Sequence, residues 1–177
     1  MIKSIGLIFL MLFFVQEPVL KKQKLTDYVS MEVSTELRKM TQQELSAKFL
    51  GARIPDVAMT DEQSSVEFTI TASPTFWQDG DVALLKEFYD SSIPNLFQEI
   101  DFSQKELVNI NEKEFAAYQF DGKPDAEGNR SAEERYTYLL YTIHKNGLVV
   151  ISFSCPPYMK SKWEPIAQKM FKTTKFR

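Results

Sequence analysis

The side chains that most often do chemistry are scarce in this sequence. Its 177 residues include one histidine, His144, and one cysteine, Cys155. A zinc or iron centre of the Cys/His type needs several such ligands, so none can be assembled. Cys155 alone also excludes an intramolecular disulfide. A serine nucleophile would need His144 beside it, and if the flanking strands pair across Asn146-Gly147, His144 points to the opposite face from Ser152 and Ser154. His144 then reads as a hairpin-end residue with its ring hydrogen-bonded. Asp79 and Asp81 stand where acids stabilise a helix N-terminus. Glu133 and Glu134 are adjacent, so in a strand they diverge instead of meeting at one reacting centre. The glycines, at 6, 51, 80, 122, 128 and 147, allow neither a phosphate-binding loop nor a dinucleotide fingerprint. In the polar stretch Asp121–Ala132 a calcium-loop spacing fails, because Lys123 takes a ligand position and Ala126 replaces the needed glycine. Asn129-Arg130-Ser131 in the same stretch is a glycosylation acceptor only for a chain that passes through a glycosylating pathway. The sequence therefore offers no catalytic residue, no metal ligand and no cofactor site.

What it does offer is a surface for recognition. Ser73–Gly80, SPTFWQDG, is a turn-rich loop carrying two large aromatics, Phe76 and Trp77. Loops on a rigid scaffold commonly bind partners, and Trp is enriched where binding energy concentrates. The competing use is packing: an aromatic side chain of about 150–250 Å², buried at about 25 cal/mol per Å², is worth about 4–6 kcal/mol. Phe76 and Trp77 are thus the candidate partner-binding residues, with burial of Trp77 against the helix that follows as the alternative.

The element that must position all of this is Arg135–Cys155, a β-branched and aromatic run interrupted only at Asn146-Gly147. That dipeptide signals a hairpin, because a two-residue type I′ turn needs positive φ at both central positions. With that turn, Lys145 faces Leu148 and His144 faces Val149. Tyr138, Leu140, Thr142 and His144 then share a face with Val149, Ile151, Phe153 and Cys155. Leu139, Tyr141, Ile143, Leu148 and Val150 occupy the other. Neither face is polar throughout, so these read as central strands of a sheet covered on both sides, with helices as the covering layers. Cys155 reads as a buried, inert thiol.

The remaining elements follow from periodicity and caps. Tyr28–Ser34 reads as a strand. Thr41 and Glu44 frame a capping box that opens a short helix from Gln42 to about Leu50, burying Leu45 and Phe49 and stopping at Gly51. Ile54–Thr60 reads as a short edge strand disturbed by Pro55, and Val66–Ala72 alternates as a half-buried strand. Asp81 caps a helix whose apolar positions Val82, Leu85, Tyr89, Ile93, Leu96 and Ile100 extend over about eighteen residues, kinked or divided at Pro94. This should be the longest helix. Glu106–Asn111 and Glu114–Phe120 read as strands joined near Glu112-Lys113. Pro156-Pro157 ends the hairpin, Ser161 and Glu164 frame a second capping box with Pro165 in the first turn, and Ile166, Ala167, Met170 and Phe171 form the stripe of a last helix. Thr173–Phe176 extends as a tail.

A net charge of −3 with no basic stripe argues against binding a nucleic-acid backbone. The densest basic cluster, Lys21, Lys22 and Lys24, reads as a solvated tail. Ahead of it, Lys3 precedes the apolar run Ile5–Val15, which Gln16-Glu17-Pro18 ends. The run is too short to span a bilayer and the right length for the core of a signal peptide. The expected organisation is a signal peptide over 1–20, a linker over 21–27 and a single domain over 28–177. Such a product is exported, periplasmic or extracellular, with no stable membrane span once the signal is removed.

Taken in order, a strand with a capped short helix, a strand, a long helix, antiparallel strands ending in an apolar pair and a closing Trp-containing helix resemble the PsbP-like superfamily, especially its DcrB-like exported bacterial branch. The resemblance rests on Ser30–Met40 leading into the Thr41 helix, on Leu148–Cys155 followed by Pro156-Pro157, and on Trp163 through Phe176. It implies an α+β fold, an antiparallel sheet of about six strands sandwiched between helices. The superfamily includes a photosystem II accessory subunit, a Ran-binding nuclear import factor, envelope proteins and secretion adaptors, which share binding instead of catalysis. No residue of the photosystem or Ran-binding sites has a counterpart here. The resemblance implies a non-enzymatic exported accessory protein that binds another envelope or secreted protein. The alternatives are a small-ligand carrier or an enzyme with a pocket between sheet and helix, and an immunity or secretion-adaptor protein.

Overall fold

The structure is a computed structural model that describes residues 19–124 and 133–177. In chain order its elements are β1 (Leu20–Lys24), β2 (Val29–Ser34), β3 (Arg38–Lys39), α1 (Gln42–Lys48), β4 (Val57–Thr60), β5 (Glu67–Pro74), α2 (Val82–Ser92), β6 (Phe97–Ile110), β7 (Lys113–Pro124), β8 (Arg135–His144), β9 (Gly147–Cys155), α3 (Lys160–Lys172) and β10 (Lys175–Phe176). Seven strands form one antiparallel sheet in the order β3-β4-β5-β9-β8-β7-β6. The hairpin β8–β9 is central, as its two apolar faces require. Three more strands form a second small sheet, β1-β2-β10.

The period-two alternation of the main sheet sends its side chains into two separate cores. Phe68, Ile70, Phe115, Tyr136, Leu140, Ile151 and Phe153 project to one side, where Trp163, Ile166, Ala167, Met170 and Phe171 of α3 and Met31 of the small sheet meet them. Tyr118, Phe120, Tyr141 and Ile143 project to the other, against Val82 and Leu85 of α2 and Ile93 beyond it. The result is three layers, with α3 and the small sheet on one side and α2 on the other. The fold class is α+β, as expected. The main sheet has seven described strands instead of about six, because the two-residue β3 carries too little pattern to be read.

The central turn also differs from expectation. Lys145 and Asn146, not Asn146 and Gly147, take positive φ, at 51° and 59°. His144 pairs with Gly147 and Thr142 with Val149, so each partner moves by two positions. A shift of two preserves the period of a strand. Every hairpin side chain therefore lies on its expected face, and Cys155 is fully buried. Gly147 opens β9 where an added Cβ would come within 3.3 Å of the His144 carbonyl, so close approach, not positive φ, favours glycine there.

Pro94 stops α2 instead of kinking it. The helix ends at Ser92 after 11 residues, Ile93–Leu96 makes one 3₁₀ turn, and β6 begins at Phe97. Among the described residues the longest helix is α3, with 13 residues. The apolar spacing Ile93, Leu96, Ile100 imitates a helix by coincidence. Leu96 is 63% exposed, whereas Ile100 packs against the α2 core from its strand, beside a register shift between Phe97 and Glu99.

The residues expected as a solvated tail and a linker over 21–27 are structured from Leu20 to Lys24. β1 pairs with β2 in full register, Lys22 opposite Glu32, while Leu20 packs on the core. An opposite-charge pair and a half-buried leucine suffice for an edge strand. The Thr41–Glu44 capping box is present, and Arg38 holds the Glu44 carboxylate through paired bonds of 2.9 Å, which with Ser64 and the Thr41 amide keep it well below the usual carboxylate range. Leu45 and Phe49 are only half-buried, since α1 buries no residue fully. The second capping box does not form. A 3₁₀ turn over Pro157–Met159 runs into α3 at Lys160, which leaves Pro165 beyond the first turn of the helix. The stretch from Asp121 that read as a loop continues β7 as far as Pro124; its remainder and Asn129 lie outside the described residues, as do residues 1–18 of the expected signal peptide.

Candidate functional site

The loop after β5 is built by its polar residues. The Thr75 hydroxyl accepts from the Trp77 amide at 3.3 Å, and the Asp81 carboxylate accepts from the Gln78 amide at 2.8 Å. Asp81 thus closes the loop instead of capping α2, which has no side-chain cap. Gly80, at φ 104°, supplies the left-handed conformation that turns the chain into the helix.

This loop holds Phe76 79% exposed, with its ring 4.7 Å from that of Trp77. Trp77 is half-buried and packs on the core beneath α2, reaching the Phe88 ring at 6.4 Å. Trp77 thus takes the packing alternative in part, and the Phe76 ring stays exposed beside it. Two further residues extend the surface. Leu84 and Phe88 are each 52% exposed, one helical turn apart on the outer side of α2. Sequence reasoning missed them because the inner stripe Val82, Leu85 and Tyr89 already accounted for the helix. A second apolar pair at i, i+4 off that stripe was the available signal.

The platform under this surface is tied together by ring contacts and hydrogen bonds. Phe88 meets Tyr89 at 5.2 Å, and Tyr89 stacks on Tyr141 of β8 at 4.0 Å. The Tyr118 hydroxyl donates to Asp90 Oδ1 at 2.9 Å while Lys86 donates to Oδ2 at 2.7 Å, pinning α2 to β7. Burial alone would raise the Asp90 carboxyl, but the bonds from Lys86 and Tyr118 outweigh it and the group lies below its ordinary value. Burial raises the Tyr118, Tyr89 and Tyr141 phenols, so all three stay neutral. This is a structural network with no activated nucleophile or base.

His144 and Cys155 take no part in it. Cys155 is buried in the opposite core, and burial pushes its thiol up to about 11. The His144 ring stacks on Tyr28 at 5.3 Å and lies 5.0 Å from Phe176, and its Nε2 has no hydrogen-bond partner among the described residues. Its expected satisfied ring is thus corrected: aromatic packing, not hydrogen bonding, holds it. Among the described residues no group of three or more His, Cys, Asp or Glu is placed to hold a metal ion, and no helix is long and apolar enough to cross a membrane.

No protein-family model matches this chain, and no curated protein matches it in sequence. Solved structures do. The solution structure of cyanobacterial PsbP (CyanoP) from Synechocystis sp. PCC 6803 aligns over 99% of this chain and 98% of its own, with a TM-score of 0.55 at 13% identity. This chain has the PsbP-like fold. The crystal structure of LpqN, involved in cell envelope biogenesis of Mycobacterium tuberculosis, covers 84% of this chain and 82% of its own, with a TM-score of 0.54 at 10% identity. In this fold the aromatic surface stands on the face of the main sheet that carries α2.

Proposed function

We propose that this is an exported, non-enzymatic accessory protein that docks a protein partner on the face formed by Phe76, Trp77, Leu84 and Phe88. One observation carries the reading: a phenylalanine four-fifths exposed, its ring tilted against that of a half-buried tryptophan and continuous with a second apolar side of α2. Adjacent apolar side chains held out on a rigid base mark interaction sites, and aromatic anchors carry much of the energy of an interface. The partner should present an apolar pocket for the Phe76 ring and a shallow apolar surface for Leu84 and Phe88. Export is supported by Lys3 and the apolar run Ile5–Val15, and the likeness to an envelope protein supports an envelope setting. The absence of a usable nucleophile–base pair among the described residues supports a binding role.

The test is a photo-crosslinking amino acid placed at Phe76 in the native host, followed by mass spectrometry of the adducts. A single defined envelope or secreted protein should be captured, and Phe88→Ser should reduce that adduct while leaving the fold intact. Adducts that are diffuse, or indifferent to Phe88, would remove this face as the docking site. The mass of the native chain tests export separately: a cytosolic product beginning at Met1 excludes it.

A further inference from the structure

The net charge of this protein sits on the α2 face. The 24 residues from Ser73 to Leu96 contain Asp79, Asp81, Glu87 and Asp90 against Lys86 alone, a net charge of 1 − 4 = −3. That equals the charge of the whole chain, and the other 153 residues balance at 20 − 20 = 0. The same segment carries Phe76, Trp77, Leu84 and Phe88. Within it Lys86 is committed to Asp90 at 2.7 Å, a carboxylate that Lys105 also approaches at 3.8 Å. Asp81 accepts from the Gln78 amide. Asp79 and Glu87 are exposed, and neither is ion-paired among the described residues. Asp79 acts on His144 at the hairpin end, as Lys113 and Lys145 also do. Glu87 stands one helical turn from Leu84 and next to Phe88, on the apolar surface itself.

Exposed apolar side chains flanked by uncompensated carboxylates discriminate among the surfaces that could cover them. They are repelled by an anionic bilayer, the other place where exposed aromatics settle. They are repelled equally by an acidic protein, because like charges brought together at an interface weaken it. A surface whose apolar residues are flanked by cations is favoured twice. The charge of the segment steers the encounter from a distance, and pairing at the rim fixes the register on contact. We propose that Phe76, Leu84 and Phe88 dock a basic amphipathic protein segment, a strip of apolar residues with lysine or arginine beside them. Glu87 is its main pairing carboxylate and Asp79 the second. This assignment rests on the docking face proposed above and adds the sign of the partner's charge to it.

The test is an NMR titration of the full chain with a synthetic peptide of leucine and lysine in amphipathic helical order, followed through the Trp77 indole N–H, which Trp77→Phe assigns by removing it. The same peptide with glutamate in place of lysine, and flotation with phosphatidylglycerol vesicles, are the comparators. The lysine peptide should shift the Trp77 and α2 resonances saturably, and the glutamate peptide and the vesicles should leave the protein unbound. Glu87→Lys should weaken the lysine peptide by about five- to tenfold and Glu87→Gln by less, as expected of a charge at an interface rim. Added salt should narrow the gap between these proteins. Should Glu87→Lys fail to fold, Glu87→Gln and the wild-type comparators still decide. Equal binding of both peptides, weakened by Phe88→Ser but not by Glu87→Lys, would overturn the assignment and leave an apolar docking face standing. Binding of neither peptide overturns it as well, while the crosslink at Phe76 decides the docking face separately. Uptake by the vesicles would give the face to a membrane instead of a protein.

Discussion

At the scale of single residues, packing governs the groups that looked reactive. Cys155 lies on the apolar face that the hairpin alternation assigns it, and burial holds its thiol up at about 11. It should react with a thiol reagent far more slowly in the folded chain than in denaturant. Labelling as fast as a free peptide thiol would show that the face is not buried. His144 gives a second test, through pH. Burial first, then the positive charges of Lys113 and Lys145, lower its pKa, with Asp79 acting weakly the other way. The unfolded chain therefore takes up a proton more readily than the folded one. Full stability is present above the unfolded value of about 6.5 and falls as pH drops below it, through the lowered folded value. Denaturant midpoints between pH 8 and pH 5 should show this loss in the wild type, and His144→Phe, which keeps a ring between Tyr28 and Phe176, should show less of it. Equal slopes would place the pH dependence on the carboxylates alone.

At the scale of elements, the turn and the helix stop were decided by backbone geometry more than by side-chain pattern. Lys145 occupies φ 51°, a left-handed conformation that costs a non-glycine residue about 1–2 kcal/mol. Lys145→Gly should therefore raise stability by about 1 kcal/mol. Were Asn146 and Gly147 the turn, Lys145 would be a strand residue and the same change would lower stability, so an equilibrium unfolding curve of this one variant distinguishes the two registers. The faces of the hairpin were legible because they depend only on parity. Its register was not, because Asn-Gly fits two adjacent turn positions and only the pairing with β5 and β7 chooses between them. Pro94 illustrates the complementary case. Its missing N–H was visible as a break, but whether the chain resumed as helix or strand depended on β7 being available to pair with Phe97–Ile110.

At the scale of the whole molecule, the two cores and the aromatic face carry different energies, and that separates fold from function. Phe171 is fully buried among Phe68, Tyr138 and its α3 neighbours, so Phe171→Ala should cost about 3–5 kcal/mol, a fall in Tm on the order of 10 °C for a chain of this size. Phe76→Ala should change stability by no more than about 0.5 kcal/mol, because its ring is 79% exposed. Thermal melts of the two variants check the assignment. A large loss at Phe76 would mean that the ring belongs to the core and the proposed docking face is misplaced.

Alternation and composition by themselves determined the central hairpin, the faces of its side chains, the burial of Cys155, the stripe of α3 and the absence of a Cys/His metal site, because each depends on spacing along one segment. Tertiary structure alone decided the second sheet, the seventh strand and the cavity beside Trp163. Each of these joins segments far apart in sequence: β10 returns to β2, β3 gains its partner only from β4, and Asp61 and Trp163 line one cavity from distant parts of the chain. Phe76 and Trp77 lie between the two cases. Their types and loop were plain in the sequence, but only packing against α2 could bury one ring and leave the other in solvent, since burial is set by the neighbours a side chain finds and not by its own hydrophobicity.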